Sequence, residues 1–342
     1  MLWRAALMAV LAALAFPAEG RDARAAAKNR QAAALEREAE ARNMLGAYTI
    51  PQIRPKTTRD SGREGMMLFI RNANFRFVRG VGFFGEDLIV AVNANDGLSP
   101  VIFDDPQAVT LRVLSGSLVV SPQALTDLLN SHVFNFAGAP VRNLRAATAV
   151  NALTLSGEMN RRGKWAPFSM TGLVTMEGGS RIAFAPAEIA IDGRSATELL
   201  KAANVALDEL IRLEAPGVKL EGDVIRMDAA ALFPPPKMAF DLAAASVDAR
   251  GLRLTMTAPL APAWPKPPLA RDSYALIKGG DVKFLTVMTV NTLMQIVAAD
   301  GGALDFSLYD YRPQLAAGTF QFRMDGGLIV SLARSGDPEA LK

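Results

Sequence analysis

A two-residue period in the middle of the chain constrains its fold more than any other feature. Leu153, Leu155 and Met159 alternate with Thr154, Ser156, Glu158 and Asn160, and Phe168, Met170, Val174 and Met176 alternate with Ser169, Thr171 and Thr175. Ile182 and Phe184 share a face, and beyond Pro186 the apolar phase flips to Ile189 and Ile191, as a β-bulge produces. Met238, Phe240 and Leu242 repeat the pattern, and so do Leu252, Leu254 and Met256. Successive side chains of a strand point to opposite faces, so these segments predict an antiparallel sheet with one wet face. Arg162-Gly163, Gly178-Gly179, Asp192-Gly193 and Glu221-Gly222-Asp223 supply its turns.

Two stretches carry a helical period instead. Residues 121–134 read SPQALTDLLNSHVF. Ser121 is suited to accept a hydrogen bond from an orphan backbone N–H, Pro122 fits the first helical position, and Leu125, Leu128, Leu129 and Val133 form one buried stripe. Residues 195–213 read SATELLKAANVALDELIRL, with Ser195 and Glu198 at capping-box spacing and Leu199, Leu200, Leu207, Leu210 and Ile211 as the stripe. Ala215-Pro216-Gly217 is expected to close this helix.

The segments on either side differ in composition. Residues 1–20 have the form of a secretory signal, with Arg4, an apolar run from Ala5 to Phe16, and small residues around Pro17-Ala18-Glu19-Gly20. This predicts an exported protein, periplasmic or secreted. Residues 21–63 are an Ala-rich charged helix or spacer followed by a linker. From 21 to 80 the chain carries 13 Lys+Arg against 6 Asp+Glu, whereas the remainder to 342 is mildly acidic. Such a leader suits contact with an anionic membrane surface, or is simply solvated. The body shows no nucleic-acid-binding motif. Strand patterns begin near Gly65, at Met67–Val78 and Leu88–Val92. PLAPAWPKPP, residues 259–268, predicts a stiff connector within 259–270, and a last β-rich section, 271–342, follows it.

The residue inventory excludes much chemistry. The chain has no cysteine and one histidine, which removes disulfides, thiol nucleophiles and multi-histidine metal sites. His132 would have to serve any Ser-His-Asp hydrolase, and there is no GxSxG elbow to present a serine to it. Gly80-Val81-Gly82-Phe83-Phe84-Gly85 matches GxGxxG literally, but it runs into the strand pattern GEDLIVAVN where a dinucleotide site needs a helix. Asn93-Ala94-Asn95-Asp96-Gly97 lacks the spacing and closing Glu of a calcium loop, and reads as a turn. Asp104-Asp105 and the pair Asp300 and Asp305 also read as turn residues. No catalytic residue, metal or cofactor is expected.

In order and pattern, LRVLSGSLVV followed by SPQALTDLLN, then NALTLSGEMNRRGKWAPFSMTGLVTM, ELLKAANVALDELI and FPPPKMAFDLAAASVDARGLRLTM, resembles the bacterial branch of the tubular lipid-binding (TULIP) proteins. These are relatives of the synaptotagmin-like mitochondrial and bactericidal permeability-increasing domains. The resemblance covers about residues 107–258. It implies an α+β fold in which a highly curved antiparallel β-sheet wraps long amphipathic helices around an apolar tunnel, with extra flanking strands. A lipid-binding domain would then span 64–258, with 271–342 packing on the same sheet. Leu125, Leu129, Leu155, Phe168, Met170, Phe184, Leu207 and Ile211 would line the tunnel and hold a lipid or other apolar ligand, in storage or in transfer across the cell envelope. Adaptable methionines (Met159, Met170, Met176, Met227, Met238, Met256) suit such a wall or an ordinary core equally. A structural envelope protein with a packed core is the alternative reading. A lipid-acting hydrolase lacks its nucleophile and base. An outer-membrane barrel is opposed by two soluble helices and by only four Tyr and three Trp for interfacial girdles.

Overall fold

The computed structural model describes residues 65–97, 100–161, 163–257 and 261–333. The signal-like segment 1–20 and the charged stretch with its linker, 21–63, lie outside them. Among the described residues, 22 strands stand against four short α-helices. The expectation of an α+β fold built on long amphipathic helices is therefore overturned: this is a mostly-β protein whose sheet curls into a half-barrel.

The first sheet opens with the hairpin of Met66–Val78 and Val81–Ala94, which turns at Arg79-Gly80 with Gly80 at φ +78°. That positive φ explains the first glycine of the GxGxxG match. The other two lie within the second strand, so no helix opens there to hold a pyrophosphate. Asn95 sits in a turn, tied to Gln107 by its side-chain amide and to Thr110 by that hydroxyl. The sheet runs, strand by strand, through 242–248, 251–256, 109–120, 81–94, 66–78, 274–278, 293–298, 328–332 and 319–322. Short parallel additions at 237–239 and 305–307 pair with 109–120 and 66–78.

The second sheet is contributed entirely by the chain between these halves. Its order is 214–215, 218–221, 224–228, 181–191, 164–178, 152–161 and 141–149. The turns expected at residues 163, 178–179, 192–193 and 221–223 connect these strands. The phase flip at Pro186 is a true bulge: Thr171 pairs with Glu188 and Gly172 with Pro186, which skips one residue. Gly172 suits that crowding, because a Cβ there would lie 2.0 Å from the Ala185 carbonyl oxygen. The sheets meet at strand 242–248, where the Asn151 amide donates to the Val247 carbonyl and the Leu242 amide to the Gly179 carbonyl. One continuous cluster of buried apolar residues fills the space inside both sheets. Five of the six sequence-flagged methionines belong to it, whereas Met176, beside the Gly178 turn, is 41% exposed.

The outer face of the first sheet has its own small core, Phe69, Ile89, Tyr274, Leu276, Val297 and Ile329. The Pro-rich connector covers it. Trp264 packs edge-on against Phe69 and donates its indole N–H to the Tyr274 hydroxyl at 2.7 Å. Gln295, fully buried, bonds both the amide and the carbonyl of Leu269. The connector is thus a strap held by specific bonds.

The first helix forms at the expected place. Ser121 accepts from the Ala124 amide at 3.2 Å, Pro122–Leu128 is α-helical, and Leu129–Val133 continues as a wider π-type turn in which the Phe134 amide reaches the Leu129 carbonyl. Leu125, Leu128, Leu129 and Val133 are all buried. The second helix does not exist as one element. Ser195 belongs to a strand bridge, and Thr197–Ala203 ends where Asn204 adopts the left-handed conformation at φ +52°. A separate single turn, Leu207–Leu210, follows. That turn is pinned onto the 221–223 hairpin: the Asp223 carboxylate accepts from the Leu207 amide, and the Asp208 carboxylate accepts from the Gly222 amide. These carboxylate-to-backbone bonds, reaching across 14 and 16 residues, compete with helix propagation, and here they prevail. Leu199 is 62% exposed as a consequence, and Ala215-Pro216-Gly217 forms a hairpin turn rather than a helix stop.

Candidate functional site

The site is a chamber between the first helix and the second sheet. The helix lies beside the edge strand Val141–Ala149, and its polar side chains complete that strand's hydrogen bonding. Asn130 accepts from the Leu144 amide at 2.9 Å and donates to the Leu144 carbonyl at 2.7 Å. Thr126, one helical turn earlier, accepts from the Ala146 amide at 2.9 Å. An exposed strand edge is thereby capped by a helix, and Leu144 is turned inward. The strand bulges here, with Asn143 at φ +52° between the Arg142 and Arg145 pairings.

Leu129 and Phe134 come from the helical segment, Val141 and Leu144 from the edge strand, and Leu155, Phe168 and Met170 from its neighbours. With Ile211, Leu213, Val218, Leu220, Ile225 and Met227 they enclose a cavity of about 40 Å³. Every lining side chain is apolar. Such a space stays dry, since bound water needs two to four polar partners. At roughly 10–15 Å³ for each water-sized position, it holds a few carbon atoms as it stands.

Of the eight residues singled out in the sequence, Leu129, Leu155, Phe168, Met170 and Ile211 are brought together on this wall. Leu125, Phe184 and Leu207 are buried in the surrounding core without lining the chamber. The sequence does not single out Thr126 and Asn130. Their signal is a polar pair at i, i+4 beside a buried stripe, which also describes any solvated helix face. The strands 218–221 and 224–228 are too short for a clear alternation on either side of the 221–223 turn, so of this wall the sequence points only to Met227.

A second apolar cavity, about 50 Å³, lies inside the first sheet among Met66, Leu68, Phe75, Phe103, Ile277 and Phe306. A wider hollow, about 520 Å³, is an open surface cleft beside Arg76, Arg79, Arg250 and Asp127. Arg76 is paired there with Asp305 at 2.6 Å and Arg250 with Glu86 at 2.9 Å, so most of its charge is already compensated.

The acidic pairs serve the scaffold. Asp104 bonds the Tyr311 hydroxyl and the Arg312 guanidinium and accepts from the Leu285 amide. Burial, and then that carboxylate, push the Tyr311 hydroxyl above its ordinary range. Asp300 accepts from the Gly302 amide, and Asp305 holds Arg76. Glu86 is held below the usual carboxylate range, chiefly by its hydrogen bond to Arg253, against the opposing effect of burial. His132 sits half-buried in the π-type turn. Among the described residues no group of three His, Asp or Glu is placed to hold a metal. Comparison with family models, with curated protein sequences and with solved structures gives no match.

Proposed function

We propose that this chain binds an apolar ligand, of the class of a lipid acyl chain, between its first helix and its second sheet. With residues 1–20 read as an export signal, the place of action is the cell envelope. One observation carries the reading: residues from seven separate segments converge on a dry chamber with no polar group in its wall. Burying a methylene contributes roughly 0.8 kcal/mol, so ten covered carbons supply about 8 kcal/mol before the costs of association. Ten carbons need more room than the chamber offers as it stands, so binding requires one wall to move. The strand walls are laddered by backbone bonds, whereas the helical wall is held to the sheet edge by Thr126 and Asn130 side chains. The helix is the wall that gives. No bond is made or broken in this function, and the chain acts as a carrier or store rather than an enzyme.

The small resting volume favours a second reading, an ordinary packed core with a packing void. Val218→Ile adds one methylene to the chamber wall and separates the two. In a carrier, native mass spectrometry of the purified wild type finds bound lipid, and the filled variant retains its melting temperature but loses occupancy. Phe168→Glu, which sets a carboxylate against the chain, removes the lipid altogether. A wild type without lipid, together with a Val218→Ile variant that is merely more stable, would show a packing void and end the carrier reading.

A further inference from the structure

We propose that strand Thr319–Phe322, the outermost of the first sheet, pairs antiparallel with the same strand of a second copy of this chain, centred on Gln321. It has a partner on one side only, strand 328–332, and all four of its residues are exposed. The Arg323 amide donates to the Gly327 carbonyl at 2.9 Å, and an antiparallel ladder alternates between bonded and unbonded residue pairs. The register therefore turns the backbone groups of Thr319 and Gln321 toward 328–332 and those of Phe320 and Phe322 outward. These outward groups complement themselves. With Gln321 opposite Gln321 across a two-fold axis, Phe320 of each copy meets Phe322 of the other, and each such pair exchanges its N–H and C=O groups.

The side chains agree with this pairing. Phe320 stands opposite Val330 and Phe322 opposite Leu328, both of the inner core, so the two rings carry the core's apolar face past the edge of the sheet. Phe322 is 82% exposed, and Met324, in the turn that follows, stands wholly clear of the protein. Taking about 200 Å² for a large side chain, Phe320, Phe322 and Met324 leave roughly 450 Å² of apolar surface open on each copy. Two copies thus cover about 900 Å² before the strand backbones are added, near the roughly 1,000 Å² of a small specific interface. No charged residue lies within the strand, and Arg323 is paired with Asp325 in the turn at 3.2 Å, so like charges do not oppose the approach. Longer edge strands elsewhere are covered: 141–149 by the first helix, and 242–248 by its bonds to the second sheet. An edge left open is protected by charge, Pro or a bulge, and 319–322 has none of the three. A contact of this size gives a concentration-dependent dimer of roughly micromolar affinity. The pairing stands on different residues from the ligand chamber and does not depend on it.

The chain has no cysteine, so single substitutions report the register. Gln321→Cys sets two thiols at an unbonded antiparallel pair, whose Cα atoms lie about 4.5 Å apart, within disulfide range. Thr319→Cys, on the same strand face, would meet its own copy only across four residue steps, about 14 Å. Val150→Cys, 77% exposed on a turn of the second sheet, is the control for random collision. In the full chain under mild oxidation, Gln321→Cys should cross-link into a dimer, and the other two should not. Sedimentation of the wild-type full chain should show a monomer–dimer equilibrium. Phe322→Lys should raise its dissociation constant by more than about tenfold while circular dichroism is unchanged. A wild type that stays monomeric at about 100 µM, well above the micromolar range, overturns the proposal, whatever else covers the edge. Cross-linking at 319 as fast as at 321, or a dimer that Phe322→Lys does not weaken, puts the contact elsewhere and overturns it equally.

Discussion

At the scale of single residues, one network of charges on the first sheet lies away from the ligand chamber. Glu86 on strand 81–94 bonds Arg250 at 2.9 Å and also Arg253, and Arg253 reaches Asp248 at 3.6 Å. These contacts tie the edge hairpin 242–256 to the centre of the first sheet. Because the folded Glu86 carboxyl sits below its ordinary value of 4.5, its contribution is fully present above that pH. It is lost as pH falls through the depressed folded value, since the unfolded chain then binds the proton more readily. Glu86→Gln should lower the urea midpoint at neutral pH and flatten its decline below about pH 4.5. Equal acid sensitivity in variant and wild type would place the titration elsewhere.

At the scale of elements, the helix at 122–133 and the edge strand 141–149 form one unit. Its apolar stripe follows from sequence alone, but its place on the sheet depends on Asn130. Replacing Asn130 by Ala leaves both the amide and the carbonyl of Leu144 without their partner, at a cost of about 1–3 kcal/mol for such an unsatisfied group. Hydrogen exchange at Leu144 and Ala146 should accelerate in this variant while the 66–94 hairpin stays protected. Uniform acceleration throughout the molecule would mean that the helix does not move as a separate wall. The stretch 195–213 shows the opposite case. Its leucines have helical spacing, and Thr197–Ala203 is indeed helical. The long helix implied by the tubular lipid-binding resemblance is broken because Asp208 and Asp223 bind backbone amides at the 221–223 turn, fixing a single turn where propensity favoured several.

At the scale of the whole molecule, the chain is organised around strand 66–78. It pairs with 81–94 on one side and with 274–278 on the other, and 305–307 joins it in parallel. The first sheet therefore needs both ends of the described chain, and the second sheet is set into it between residues 120 and 237. A chain truncated after residue 257 would lose the partner of strand 66–78 and uncover Phe69 and Ile89, which the 261–269 strap and its neighbours shield. It should aggregate instead of yielding a soluble fragment. Recovery of a soluble, cooperatively melting 65–257 fragment would show that the later strands are an accessory.

The sequence by itself determined the strands with a clear alternation, among them those at 152–161, 164–178, 181–191 and 251–256, where the turns at 163, 178–179, 192–193 and 221–223 fall, and that the strand after Pro186 carries a bulge. These are local properties, written in alternation and in Gly, Asp and Asn at positions of special φ. It also determined the first helix, through Ser121, Pro122 and a stripe whose members are all buried. It placed Leu129, Leu155, Phe168, Met170 and Ile211 on apolar faces, but could not say that these five would meet while Leu125, Phe184 and Leu207 would not. Only the tertiary structure decided that, because the meeting depends on strand order, and inward-facing residues look alike whichever neighbour they find. The tertiary structure likewise decided that the second helix breaks and that Thr126 and Asn130 bind a strand edge. Such outcomes arise from hydrogen bonds between residues distant in the chain, which no local period encodes.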